Sequence, residues 1–248
     1  MVFPSICITF APQEEYHHMT KYQILSGSSL KVLAMVTMLI DHLAAFYFYD
    51  DPWFRHALFD VGHKHVSVYF LMRAVGRIAF PIFAFLLVEG FLHTSNRKRY
   101  GLSLLLFALL SEIPWNLVHC GSLLYRSQNV LFTLLLGFLG MWAIERYRDE
   151  SHRMAAALIG LLVASVLLRA DYGCSGFGFI IMLYALRQHR LWQAVVGSCM
   201  LGGRWLAGLA FIPINMYNGK RGFITGPLAK YIFYVFYPLH LLIIYLLR

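Results

Sequence analysis

The chain has 248 residues, 59% of them hydrophobic and only 13% charged, with a mean hydropathy of +0.62. Soluble domains carry roughly 25% charged residues, so the composition excludes an ordinary soluble domain. It predicts an all-α, polytopic integral membrane helix bundle. The formal charge of +9 falls in short runs between apolar segments, which reads as loop topology. No nucleic-acid-reading motif is present, and no nucleic acid is expected as a partner.

Residues 1–29 are read as a tail, disordered or the product of an early start codon with Met19 as the true start; 30–248 form the membrane domain. The tail's short apolar stretch has no basic residue before it, which argues against a secretory signal. A spanning helix needs about 20 apolar residues. About eight spans are predicted, at 30–49, 68–92, 101–119, 129–146, 154–169, 174–186, 191–212 and 229–247. The fifth and sixth are short, so they are tilted or one of them is re-entrant.

Orientation follows from Lys and Arg in the loops. Arg97, Lys98 and Arg99, then Arg146, Arg148 and Arg153, then Arg187 and Arg190 alternate with poorly charged loops. They are predicted to be cytoplasmic, and the parity of eight spans puts both termini, including Arg248, on that side. "YNGKRG" disagrees: parity places its Lys220 and Arg221 outside. Either the span count is off by one or these two cations serve something other than topology.

The first span, "LKVLAMVTMLIDHLAAFYFY", carries Asp41 and His42 just past its middle. A charge at mid-bilayer costs at least ~2.5 kcal/mol, so partners are expected. Arg73 and Arg77 share a face of the second span at i, i+4 spacing, and Glu112 and Asn116 do so in the third. Asn129 and Thr133 open the fourth, Asp171 and Tyr172 sit in the turn after the fifth, Arg204 lies in the seventh and His240 in the eighth. All fall between mid-membrane and the outer surface. Asp41 and Glu112 can pair with Arg73, Arg77 or Arg204. Neighbouring helix residues point about 100° apart, so one of Asp41 and His42 is expected to face a cavity and the other to brace a helix. A salt-bridge network that only packs helices is the alternative, although small residues do that without charges.

Other features read as architecture. Pro81, Pro213 and Pro238 are expected to kink their helices. Gly137, Gly140, Gly202, Gly203 and Gly208 suit close helix contact. The aromatics of "FYFYDDPWF" suit an interfacial belt. Glu89 is expected to reach Lys98 or water. Cys7, Cys120, Cys174 and Cys199 form no metal spacing; no metal is expected, and free thiols are favoured over a Cys120–Cys174 disulfide.

"KVLAMVTMLIDH", "GRIAFPIFAFLLVEGF" with its T-x-N and "RKRY", "QNVLFTLLLG", "DYGCSGFGFI", "MYNGKRG" and "YIFYVFYPLHLLIIYLL" follow in an order and spacing that resemble the TraX family. These are bacterial inner-membrane proteins linked to N-terminal acetylation of conjugative pilin. The likeness runs from about Leu30 to the end. The final "FYPLHLLI" also resembles the end of membrane-bound acyltransferases. The resemblance implies a multi-pass inner-membrane acetyltransferase that moves an acetyl group from acetyl-CoA to an amine, or in relatives a hydroxyl, of an exported acceptor such as pilin.

Under that implication His42 is the candidate base, with His240 its rival. Asp41 would hold the region by pairing with Arg77 or orienting an imidazole, and Glu112 completes the catalytic set. Arg73 or Arg77 would bind a carbonyl oxygen or a CoA phosphate. Asn116, Asn129, Thr133, Asp171, Tyr172, Arg204, Tyr217, Asn218, Lys220 and Arg221 complete the candidate binding set. Two other classes compete: a proton-coupled transporter or channel for small anions, and a non-enzymatic partner in a conjugation or secretion assembly. No inverted repeat or pair of matching broken helices supports the first.

Overall fold

The computed structural model describes residues 22–62, 64–202, 205–224, 226 and 229–248. The tail reading through residue 21, Met19, Cys7, Gly203 and Arg204 lie outside these residues. Ser26 opens the first helix, α1 (Gly27–His42), and its hydroxyl accepts from the Ser29 amide at 3.2 Å. A π-helical turn, Leu43–Tyr47, continues α1 without a break. A short helix, α2 (Pro52–Arg55), and an antiparallel hairpin of β1 (Ala57–Val61) and β2 (Lys64–Ser67) follow. The all-α reading treated this stretch as loop; the protein is mostly helical with this one addition among the described residues.

The predicted second span is broken into α3 (Val68–Gly76) and α4 (Ala79–His93). Pro81 explains the break, because it has no amide to give the Arg77 carbonyl four residues back. α5 (Arg97–Cys120), α6 (Val130–Arg146), α7 (Ser151–Leu167) and α8 (Gly173–Ala185) match the next four runs. Gly137 and Gly140 let α6 lie against α8: a Cβ on Gly137 would sit 2.5 Å from the Ile180 Cδ1. Pro238 does not break its helix, α11 (Ala229–Leu247).

The seventh run does not cross. α9 (Arg190–Met200) stops after 11 residues, and Gly202 turns the chain at a positive φ of 55°. A 3-10 segment, Trp205–Ala210, and α10 (Phe211–Asn215) then lead back along α9. Arg190 donates to the Ile214 carbonyl at 3.1 Å, so both ends of this hairpin lie together. The expectation of a spanning helix at 191–212 is therefore corrected: this mostly apolar run makes a re-entrant pair instead of a crossing. Among the described residues the chain traverses the bundle seven times, through α1, α3 with α4, α5, α6, α7, α8 and α11.

This resolves the "YNGKRG" conflict in favour of a miscounted span. The loop lies against the start of α1, where Leu25 pairs with Tyr217. Gly27 and Ser28 amides donate to the Lys220 and Arg221 carbonyls at 2.8 and 2.9 Å. Gly222, at φ +92°, approaches Ser26 so closely that a side chain would have no room. The loop thus shares the end of the bundle with the start of α1. Arg248 sits at the opposite end, donating to the Val118 carbonyl at 3.4 Å and facing Asp50 at 3.9 Å. The reading that put Arg248 beside the N-terminus is overturned by the same odd count.

Gly27–Tyr47, Val68–His93 and Arg97–Cys120 are long and apolar enough to cross a membrane. The bundle also turns apolar side chains outward: Leu102, Leu106, Leu109 and Ile113 on α5, and Ile159, Val163 and Val166 on α7 are exposed. Water would not tolerate so much contiguous apolar surface; lipid does.

In a background stripped of native cysteines, Asn218→Cys should be labelled by an impermeant maleimide from the same side as Thr94→Cys. Arg248→Cys should be labelled from the other side only. Labelling of positions 218 and 248 from one side would restore an even span count.

Candidate functional site

Asp41 and His42 sit side by side at the end of α1 and point to different helices. Asp41 reaches α3, where Arg73 donates to its carboxylate at 2.7 Å and to its backbone carbonyl at 3.3 Å. Both side chains are largely shielded, 19% and 28% exposed, so the attraction is screened less than at a surface. Gly76 makes this approach possible, because a Cβ there would run into the Asp41 side chain. The expected partnership with Arg77 is corrected: Asp41 pairs with Arg73, and Arg77 is the cap that follows the end of α3 at Gly76. The Arg77 side chain is half-buried and makes no hydrogen bond or ion pair with a described residue. It lies next to Gly76, at the depth of Asp41.

His42 reaches α11. Its Nδ1 lies 2.6 Å from the His240 Nε2, with the two rings parallel to within 2° and 4.9 Å apart. His240 is 5% exposed, and its Nδ1 lies 2.7 Å from the Phe236 carbonyl. A carbonyl only accepts, so the His240 Nδ1 carries a proton and its Nε2 does not. His42 must then donate from Nδ1, which leaves the His42 Nε2 with a lone pair that no described residue meets. The hydrogen-bond chain assigns these tautomers for neutral rings. His42 is half-buried. The π turn begins at the next residue; such turns concentrate at functional sites because they re-aim side chains. It brings Phe46 to within 5.6 Å of the His42 ring centroid and 4.7 Å of the His119 ring centroid.

The expectation that Glu112 pairs with an arginine is also corrected. Glu112 accepts from the Asn129 backbone amide at 3.0 Å and from its side-chain amide. Asn129 in turn caps α6, accepting from the Leu131 amide at 3.0 Å. Asn116 donates to the Leu123 carbonyl at 2.7 Å and holds the following loop. These groups order the entrance to α6 rather than meet His42. Thr133 is fully buried, and its hydroxyl has no partner among the described residues, like those of Ser111 and the Asn116 side-chain oxygen. Buried polar atoms without partners are rare and mark places for water or substrate. Tyr172 stacks on Phe80 at 3.7 Å, and Asp171 precedes it in the turn. The buried Tyr237 on α11 lies with its ring centroid 6.2 Å from that of His42 and 5.8 Å from that of His240, with Asp171, Glu112 and Tyr172 in electrostatic range. It joins the α6 entrance to the histidine pair.

Tyr217, Asn218, Lys220 and Arg221 are not part of this site, because their loop lies at the start of α1. Tyr217 bonds to Glu89 there, beneath the Arg190 guanidinium 5.8 Å from its ring. Glu89 therefore meets Tyr217 and Arg190 instead of Lys98. Cys120, Cys174 and Cys199 are free thiols. Among the described residues no group of three or more His, Cys, Asp or Glu side chains could hold a metal ion. Sequence reasoning assigned no role to His119 or Tyr237. Four-residue spacing between Trp115 and His119 was the available signal, and the position of His119 at a helix end obscured it.

A family model described as "TraX protein" matches residues 26–248. A probable fimbrial assembly protein FimC, serogroup H1, from Dichelobacter nodosus is 29% identical over 245 residues, covering 87% of this chain and 93% of that protein. No solved structure matches.

Removing one partner of a shielded pair strands the other charge, which costs about 3 kcal/mol. Arg73→Ala should therefore lower stability in detergent by about that amount. Arg77→Ala, which breaks no described bond, should stay within about 1 kcal/mol of the parent. Chemical denaturation followed by tryptophan fluorescence would measure both, and equal losses would contradict the division between the two arginines.

Proposed function

From the chain's membership of the TraX family and the open lone pair on His42, we propose a multi-pass inner-membrane acetyltransferase that carries an acetyl group from acetyl-CoA to the terminal amine of an exported fimbrial or pilin subunit. The name of the Dichelobacter nodosus relative supports a fimbrial acceptor. The tautomer chain from Phe236 through His240 to His42 carries the reading, because it presents a base held in one orientation.

The reaction forms a C–N bond and breaks a C–S bond. The amine nitrogen attacks the thioester carbonyl, and its proton passes to the His42 Nε2. The imidazolium keeps its Nδ1–H bond to His240, which spreads the charge. Collapse of the intermediate sends the C–S pair to sulfur, and His42 returns the proton to the thiolate. Thioester and amine thus become amide and thiol with no co-reactant. Arg77, whose donors meet no described residue, suits the developing oxyanion or a donor phosphate. Arg73 and Asp41 hold α1 against α3.

The histidine chain also bears on the transporter alternative. A proton relay needs every member to accept and to donate, and the Phe236 carbonyl cannot pass a proton onward. The chain ends there, which suits a base better than a through-going wire.

Mass spectrometry of fimbrial subunits from cells with and without the gene should differ by one acetyl group. His42→Asn keeps a donor for His240 but removes the lone pair; it should lose about 10²–10⁴-fold in transfer while inserting normally. Full activity in that variant would remove His42 as the base. Subunits unchanged in mass, with fimbriae lost, would favour the non-enzymatic assembly role.

A further inference from the structure

His119 repeats, on α5, the arrangement that fixes His240 on α11. Its Nδ1 lies 2.8 Å from the carbonyl of Trp115, four residues back. That carbonyl only accepts, so Nδ1 is protonated and the Nε2 carries a lone pair. No described residue bonds to that Nε2. The ring is clamped by Trp115 at 4.0 Å and by Tyr125, stacked at 4.7 Å. Its third neighbour is Phe46, whose other side meets His42. Two imidazoles with open Nε2 atoms therefore flank one phenyl ring, and His42 feels His119 electrostatically. His119 is half-buried and one residue from the exposed Cys120 at the helix end. His42 lies deeper.

Amine acetylation has a proton surplus that this arrangement can absorb. An α-amine with a pKa near 8 arrives mostly as ammonium at neutral pH. It must lose one proton to become a nucleophile and a second when the C–N bond forms. The thiolate takes only one. Resting on the acetyltransferase reading, we propose that His119 takes the first proton from the incoming ammonium and releases it to water at the Arg248 end, leaving His42 for the second. The substrate this selects is a primary ammonium presented from that end. Among the described residues, His42 lies across Phe46 from His119, Tyr125 and Cys120 lie beside it, and Arg248 sits on the adjacent Val118 carbonyl with Asp50 near it.

The test uses purified full-length protein, acetyl-CoA and two peptide acceptors, one ending in an α-amine and one in a hydrazide that is unprotonated at pH 6.5. His119→Asn retains a donor for the Trp115 carbonyl and lacks the lone pair. On the amine it should lose at least tenfold at pH 6.5 and approach the parent by pH 9. On the hydrazide it should match the parent at both. In the parent itself, the acid limb of the amine profile should fall below pH 8, the ordinary value of the amine. A loss equal at all pH values and for both acceptors, no loss at all, or a parent limb at the amine's own pKa would each overturn the role of His119. A parent protein that transfers acetyl to neither acceptor would instead overturn the acetyltransferase reading itself.

Discussion

Two adjacent ionisable residues on one helix hold three helices together. Because successive residues on a helix diverge by about 100°, Asp41 and His42 cannot share a partner. Asp41 is tied to α3 through Arg73, and His42 to α11 through His240. Each bond sits in surroundings where an unpaired polar group would be costly, so neither is released without disturbing the packing around it. The other end of α1 is tied as firmly, by the carbonyls of Lys220 and Arg221. α1 is thus anchored at both ends, and the depth of the histidine pair follows from its length.

The re-entrant segment depends on the same frame. Its base is closed by Arg190 on the Ile214 carbonyl, with Glu89 and Tyr217 beneath the guanidinium. Tyr217 belongs to the strand-like contact with Leu25, which links this base to the start of α1. Its 3-10 segment packs on α3 and α4, the helices whose junction presents Arg77. Gly208 permits the return leg by lying where a Cβ would come within 2.9 Å of the Ser198 hydroxyl. A chain that simply crossed at 191–212 would leave the junction of α3 and α4 without this neighbour.

Much of this was legible from residue types and spacing. Apolar runs place most helices, because lipid imposes length and hydropathy directly. The shared depth of Asp41, Arg73 and His240 follows from the same counting. The re-entrant hairpin was not legible, since its composition matches that of a span and only the positive φ at Gly202 separates them. The contradictory Lys220 and Arg221 were the visible symptom. The β-hairpin was missed because "ALFDVGHKHVS" reads as a polar loop, and its register becomes plain only once Phe59 faces Val66. Glu112 and Asn129 were read as site residues because both are polar at the right depth. Depth cannot tell a helix cap from a catalytic group; only the direction of the side chain does.

The choice between Arg73 and Arg77 illustrates the same limit and has a chemical consequence. On an unbroken helix the two are equivalent, four residues apart on one face. Pro81 removes that equivalence by leaving the Arg77 carbonyl without its amide, so the helix ends at Gly76. Gly76 then admits Asp41 to the surface of α3, where Arg73 bonds it and Arg77 bonds no described residue. One arginine is consumed in holding α1. The other keeps its donors at nearly the same depth, with no described group to neutralise them. A guanidinium within the bundle needs water or a polar group to complete it, and among the described residues Arg77 has none.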